Sequence, residues 1–89
     1  MVPTGSTVVL VMPIDESAPK GRLIMPQQMA IRDLLDAHCL PCCCQVDGLP
    51  SILEGLKNPP ALIVTDSQAF GQVNKLVPEE LPLTSFSIL

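Results

Sequence analysis

Apolar positions along this chain fall into short runs of two different kinds. The segment "TVVLVMPI" (7–14) is almost continuously apolar and rich in Val, and Gly5 and Pro13 bound it. A β-branched run of that length without alternation predicts a strand buried on both faces. The polar stretch "DESAPKGR" (15–22) reads as the connection that follows it. The pattern then changes period. In "PQQMAIRDLLDAH" (26–38), Ala30, Ile31, Leu34, Leu35 and His38 recur at three- and four-residue spacing, with Gln28, Arg32, Asp33 and Asp36 mostly elsewhere. That spacing predicts an amphipathic helix of about three turns. Pro26 suits its first turn and Pro41 bars its continuation. His38 is expected at the helix C-terminus, interacting with the last carbonyls.

The two periods keep alternating. "CCCQV" (42–46) predicts a second strand. Asp47 is placed to cap a short helix in which Leu49, Ile52, Leu53 and Leu56 share a face, and Asn58, Pro59 and Pro60 stop it. "ALIVTD" (61–66) predicts the third strand. Asp66 or Ser67 would cap a third helix with Phe70, Val73 and Val77 inward, although Gly71 weakens it by about 1 kcal/mol. Pro78 closes that segment, and "LPLTSFSIL" (81–89) supplies a fourth strand with Leu83 and Ser85 on one side and Thr84 and Phe86 on the other. The half-polar character of this last strand suits a sheet edge. Strand–helix alternation implies right-handed crossovers, hence an α/β three-layer sandwich: a four-stranded, mostly parallel sheet flanked by about three short helices. Such a sheet has two open edges to protect or use, and for a strand order of 2-1-3-4 these are the second and fourth strands.

Composition sharpens this picture. With 89 residues there is room for a single small domain over 1–89. The chain is 47% hydrophobic and 16% charged, whereas ordinary domains are about 25% charged. A small domain has proportionally more surface and should be more polar than average, so the excess points to apolar surface covered by something else. Together with the apolar ending "LPLTSFSIL", it suggests a fragment of a longer protein, a self-pairing module, or both. A net charge of −4 with five Lys plus Arg argues against nucleic acid as a partner. No run approaches the ~20 apolar residues that span a bilayer. The start "MVPTGST" is not a signal peptide, and clustered thiols without an export signal point to the cytoplasm.

Candidate chemistry is confined to a few places. All four cysteines and the only histidine lie in "HCLPCCCQ" (38–45). The spacing Cys39-x-x-Cys42 raises the possibility of a metal-binding module or a redox pair. Successive strand residues point to opposite faces, however, so Cys43 is directed away from Cys42 and Cys44, and no second pair of ligands exists. Cys39 ends a helix, where the dipole disfavours a thiolate. The favoured reading is packing, with Cys behaving as a small hydrophobe; on that reading Cys43→Ser should weaken folding by ~1–3 kcal/mol. Asp15, Glu16 and Asp66 at strand ends suggest a receiver-like phosphoacceptor at Asp66, though the Lys-bearing fifth strand of receivers is lacking. Lys20-Gly21-Arg22 lacks the pattern of a nucleotide cradle. No catalytic, cofactor-binding or metal-binding residue is assigned.

One resemblance spans nearly the whole chain. "VVLVMPIDESAPKGRLIMPQQMAIRDLLD" (8–36), "ALIVTDSQAF" (61–70) and "VPEELPLTSFSIL" (77–89) resemble the middle, dimerisation domain of HydF, the maturation GTPase of [FeFe]-hydrogenases. "PIDESAPKGRLI" and "TDSQAF" are the most specific pieces, and "HCLPCCCQVDGLP" departs from a family in which that strand tends to be aliphatic. The resemblance implies a homodimerising domain without chemistry of its own. It also implies a parent protein with a GTP-binding domain before it and an iron–sulfur domain after it, a scaffold for the two-iron subcluster destined for apo-hydrogenase. "HCLPC" echoes the family's cluster-binding element but lies in the wrong domain and lacks its upstream Cys-x-His, so cluster ligation is not carried onto Cys39 or Cys42.

Overall fold

Val8, Val9, Leu10 and Val11 are all completely shielded from solvent, as expected of a strand with neighbours on both sides and cover on both faces. In a computed structural model, which describes residues 3–13 and 25–86, this segment is β1 (Thr7–Val11). The elements that follow are α1 (Met25–Asp36), β2 (Leu40–Cys44), a single 3-10 turn (Val46–Gly48), α2 (Leu49–Gly55), β3 (Leu62–Thr65), α3 (Phe70–Leu76) and β4 (Leu83–Ser85). The four strands form one sheet in the order β2-β1-β3-β4, and every pairing is parallel. The expected α/β architecture is therefore present, with β2 and β4 as its edges. The predicted 15–22 connection and residues 87–89 of the fourth strand lie outside the described residues.

Strand order dictates where the helices go. The step from β1 to β2 runs one way across the sheet, whereas the steps to β3 and then β4 run the other way. Right-handed crossovers place helices on opposite faces when the direction reverses, so α1 occupies one face alone and α2 and α3 share the other. Packing follows this division. Val9, Val11 and Ile63 cluster with Leu49, Ala69, Val73 and Val77, while Val8, Leu10 and Val64 cluster with Leu34, Met12 and Cys39. Ile52, Leu53 and Leu56 pack against the first cluster as their spacing predicted. Full burial of one aliphatic side chain contributes about 1.5–3 kcal/mol, which makes β1 the element on which both layers depend.

Four local details differ from the sequence reading. The inward stripe of α1 is Gln27, Ala30, Ile31 and Leu34, an i, i+3, i+4, i+7 set, and Leu35, one residue (about 100°) further round the helix, is 54% exposed. His38 is exposed too, and does not share the apolar face. The second strand begins two residues earlier than predicted and includes Pro41. Leu40 N–H donates to Ser6 O and Met12 N–H donates to Cys44 O, so even-numbered residues of β2 bond to β1 and Pro41 directs its missing donor outward, the one orientation an edge permits. Asp47 sits within the 3-10 turn and does not cap α2, whose N-cap position is Gly48 with no side-chain hydrogen bond. In α3, Ala69, Val73 and Val77 face the core at four-residue spacing, and Phe70 is 36% exposed.

The end of α1 shows how His38 is used. Cys39 N–H donates to Leu34 O and His38 N–H to Leu35 O, the paired bonds of a Schellman motif, and His38 adopts φ +59° at its left-handed position. Its own carbonyl accepts from the N–H of Gly5, another positive-φ residue at +86°. The left-handed region costs a residue with a Cβ about 1–2 kcal/mol, partly offset for Gly by its freer unfolded chain. His38→Gly is accordingly expected to stabilise the fold by about 0.5–1 kcal/mol in denaturant titrations.

Candidate interaction surface

The cysteine cluster is distributed by the geometry of its strand. Cys42 and Cys44 pair in register with Val9 and Val11 and pack against the α2/α3 side of the core. Cys39 is buried in the α1-side cluster, its thiol 3.6 Å from the carbonyl of Pro3. Cys39 and Cys42 are thus separated by the sheet, and the Cys-x-x-Cys spacing does not produce a pair. All four thiols are free, and among the described residues no group of His, Cys, Asp and Glu is arranged to hold a metal ion. Cys43 turns the opposite way from Cys42 and Cys44, as expected, but it is exposed and does not belong to the core. The packing reading of the three strand cysteines holds for the half-buried Cys42 and Cys44 and fails for Cys43, which lies on the α1 face of an edge strand and is exposed there. Partial desolvation raises the thiol pKa of Cys43, with Cys42 adding to the effect, and desolvation also raises that of Cys44. Both are therefore poor thiolates at neutral pH.

Asp66 follows β3 and accepts a hydrogen bond from Ala69 N–H at 2.9 Å. This organises the turn that leads into α3, but neither Asp66 nor Ser67 caps that helix as expected: its N-cap position is Ala69, with no side-chain hydrogen bond, because the chain makes a further turn before the helix begins. Asp15 and Glu16 lie outside the described residues, so no acidic constellation forms around Asp66 among those described. The neighbouring Thr65 is fully buried and its Oγ1 has no hydrogen-bond partner among the described residues. It is an orphaned polar atom at the carboxyl end of the sheet.

What the fold presents outward is edge and apolar surface. At the β2 edge the outward backbone positions are Pro41 and Cys43, so a single N–H is available there. At the β4 edge, Ile63 N–H donates to Pro82 O and Phe86 N–H to Thr65 O. Residues 82, 84 and 86 therefore bond inward, and the backbone of Leu83 points away from the sheet. Next to this edge, on the face covered by α1 alone, lies an apolar groove of about 340 Å³ between α1 and Phe86. Ala30 and Leu34 form its floor, and Met25, Met29 and Phe86 its walls. Met25 and Met29 are 64% and 57% exposed. Met25 and Met29 lie four apart on α1 outside its inward face, a spacing that gains significance only from the position of Phe86 beside them. Among the described residues no helix is long and apolar enough to cross a membrane.

Exposure orders the thiols by reactivity. Alkylation followed by mass spectrometry is expected to label Cys43 first and Cys39 last, with rates rising as pH approaches the raised thiol pKa of Cys43. Cys43→Ser should leave stability within about 0.5 kcal/mol of the parent in denaturant titration, the usual range for exposed positions.

No curated protein matches the chain. The family model described as the hydrogen maturase F dimerization domain matches residues 1–89, the whole sequence. The excess of apolar composition, the sheet with an available edge and the groove beside it agree with a module that associates with its own kind. The chain belongs to the hydrogen maturase F dimerization domain family.

Proposed function

We propose that this chain is the self-pairing module of a scaffold protein that assembles the two-iron subcluster of [FeFe]-hydrogenase and delivers it to the apo-enzyme. The observation that carries the reading is the whole-chain family match, and an apolar surface suited to self-association supports it. Its mechanism is positional. A GTP-binding domain before the module and an iron–sulfur domain after it, both in the cytoplasm, are brought into a fixed relation with their copies when two modules join. GTP and the cluster are cofactors of those other domains, and apo-hydrogenase and other maturation proteins are partners of the parent. The module contributes no catalytic group.

The β4 edges are the natural point of contact. Two parallel sheets related by a two-fold axis meet with their edge strands antiparallel, and each outward N–H of Leu83 finds an acceptor across the axis. The β2 edge is the poorer choice because Pro41 removes a donor from it, a device by which edges are blunted. Neither the phosphoacceptor reading at Asp66 nor the metal reading at Cys39 and Cys42 gains support from the geometry.

Sedimentation equilibrium of the chain is expected to give twice the monomer mass at micromolar concentration. A strict monomer across the accessible concentration range would overturn the proposal.

A further inference from the structure

An edge of three residues is about 10 Å long, and backbone pairing along it covers far less than the about 800 Å² per partner that stable interfaces bury. If two copies join at β4, more surface must take part, and it must adjoin that strand. Phe86 follows β4 immediately in the chain and packs on the α1 face of the sheet. From it the surface continues without interruption into the groove lined by Met25, Met29, Ala30 and Leu34. The groove, at about 340 Å³, is roomy enough to accept a side chain, its walls are apolar, and among the described residues the single acidic group lining it is Asp33. Methionine suits such a place because its unbranched, polarizable side chain adapts to an irregular partner surface.

We propose that the groove between α1 and Phe86 forms the hydrophobic centre of the contact between two copies of this chain, with Met29 as its anchor. This rests on the self-pairing function proposed above and specifies the surface that performs it. The two-fold axis beside β4 brings the groove of one copy against that of the other, so each Met29 is buried by apolar atoms of the partner. Continuity with the β4 edge and the area that edge leaves unsupplied both identify the occupant as a second copy.

The test compares two single variants of the 89-residue chain by sedimentation equilibrium and thermal melting. Met29→Glu places a charge in the groove. Leu35→Glu places one on α1 at a residue of similar exposure that does not line it. The expected result is that Met29→Glu weakens dimerisation at least about ten-fold, as loss of a central apolar anchor does, while Leu35→Glu dimerises like the parent. Dimerisation unchanged by Met29→Glu, or broken by Leu35→Glu instead, would overturn the inference and leave self-pairing intact through another surface. An unchanged dimer with a lowered melting temperature in Met29→Glu would also overturn it, assigning the groove to a segment of the same chain. A parent chain that is itself monomeric removes the self-pairing function as well, an outcome distinguishable from all the others.

Discussion

All four strands of this sheet run in the same direction, and that constraint shapes the rest of the molecule. Parallel neighbours cannot be joined by a tight hairpin, so each connection must cross a face. With three crossovers and one reversal of direction, one face receives α2 and α3 and the other receives α1. A four-strand sheet is too wide for one helix to cover. The uncovered strip lies beside β4, where Phe86 and the methionines of α1 stand exposed or half-exposed. The apolar surplus of the composition is thus a topological consequence with a definite location.

The same constraint separates the two edges. β2 carries Pro41 at an outward backbone position and Cys43 at the next, a pattern that resists further pairing. β4 has no proline among its three residues. The unusual local features are structural in the same sense. His38 accepts a left-handed conformation because the turn from α1 into β2 must reverse within two residues, with Cys39 then buried against Leu34. Asp66 is used up in shaping the turn before α3. The buried hydroxyl of Thr65, unpaired among the described residues, has no such explanation in its surroundings.

Much of this was legible in the sequence wherever a period ran long enough to be unambiguous. The continuous Val-rich run could only be a central strand, and the spacing of Leu49, Ile52, Leu53 and Leu56 fixed the inward face of α2. Errors fell where one residue decides. Proline normally argues against a strand, and only the bonding direction at an edge shows why Pro41 belongs to one. Leu35 and Phe70 each sit one position from a buried neighbour, and the choice depends on how each helix is rotated against the sheet, which periodicity alone does not set. Cys43 was assigned to the core because alternation reveals which face a side chain takes but not whether that face is covered. The groove was hidden for the same reason: Met25 and Met29 are unremarkable as helix residues and acquire meaning only beside Phe86, some sixty positions along the chain.

The central claim is that β4, rather than β2, is the edge through which two copies meet. Residue-resolved hydrogen exchange measured by NMR on the associated protein tests it most directly, because an outward edge amide is protected only when another strand bonds to it. The account predicts slow exchange at the Leu83 amide and fast exchange at the Cys43 amide. Rapid exchange at Leu83 together with protection at Cys43 would contradict it.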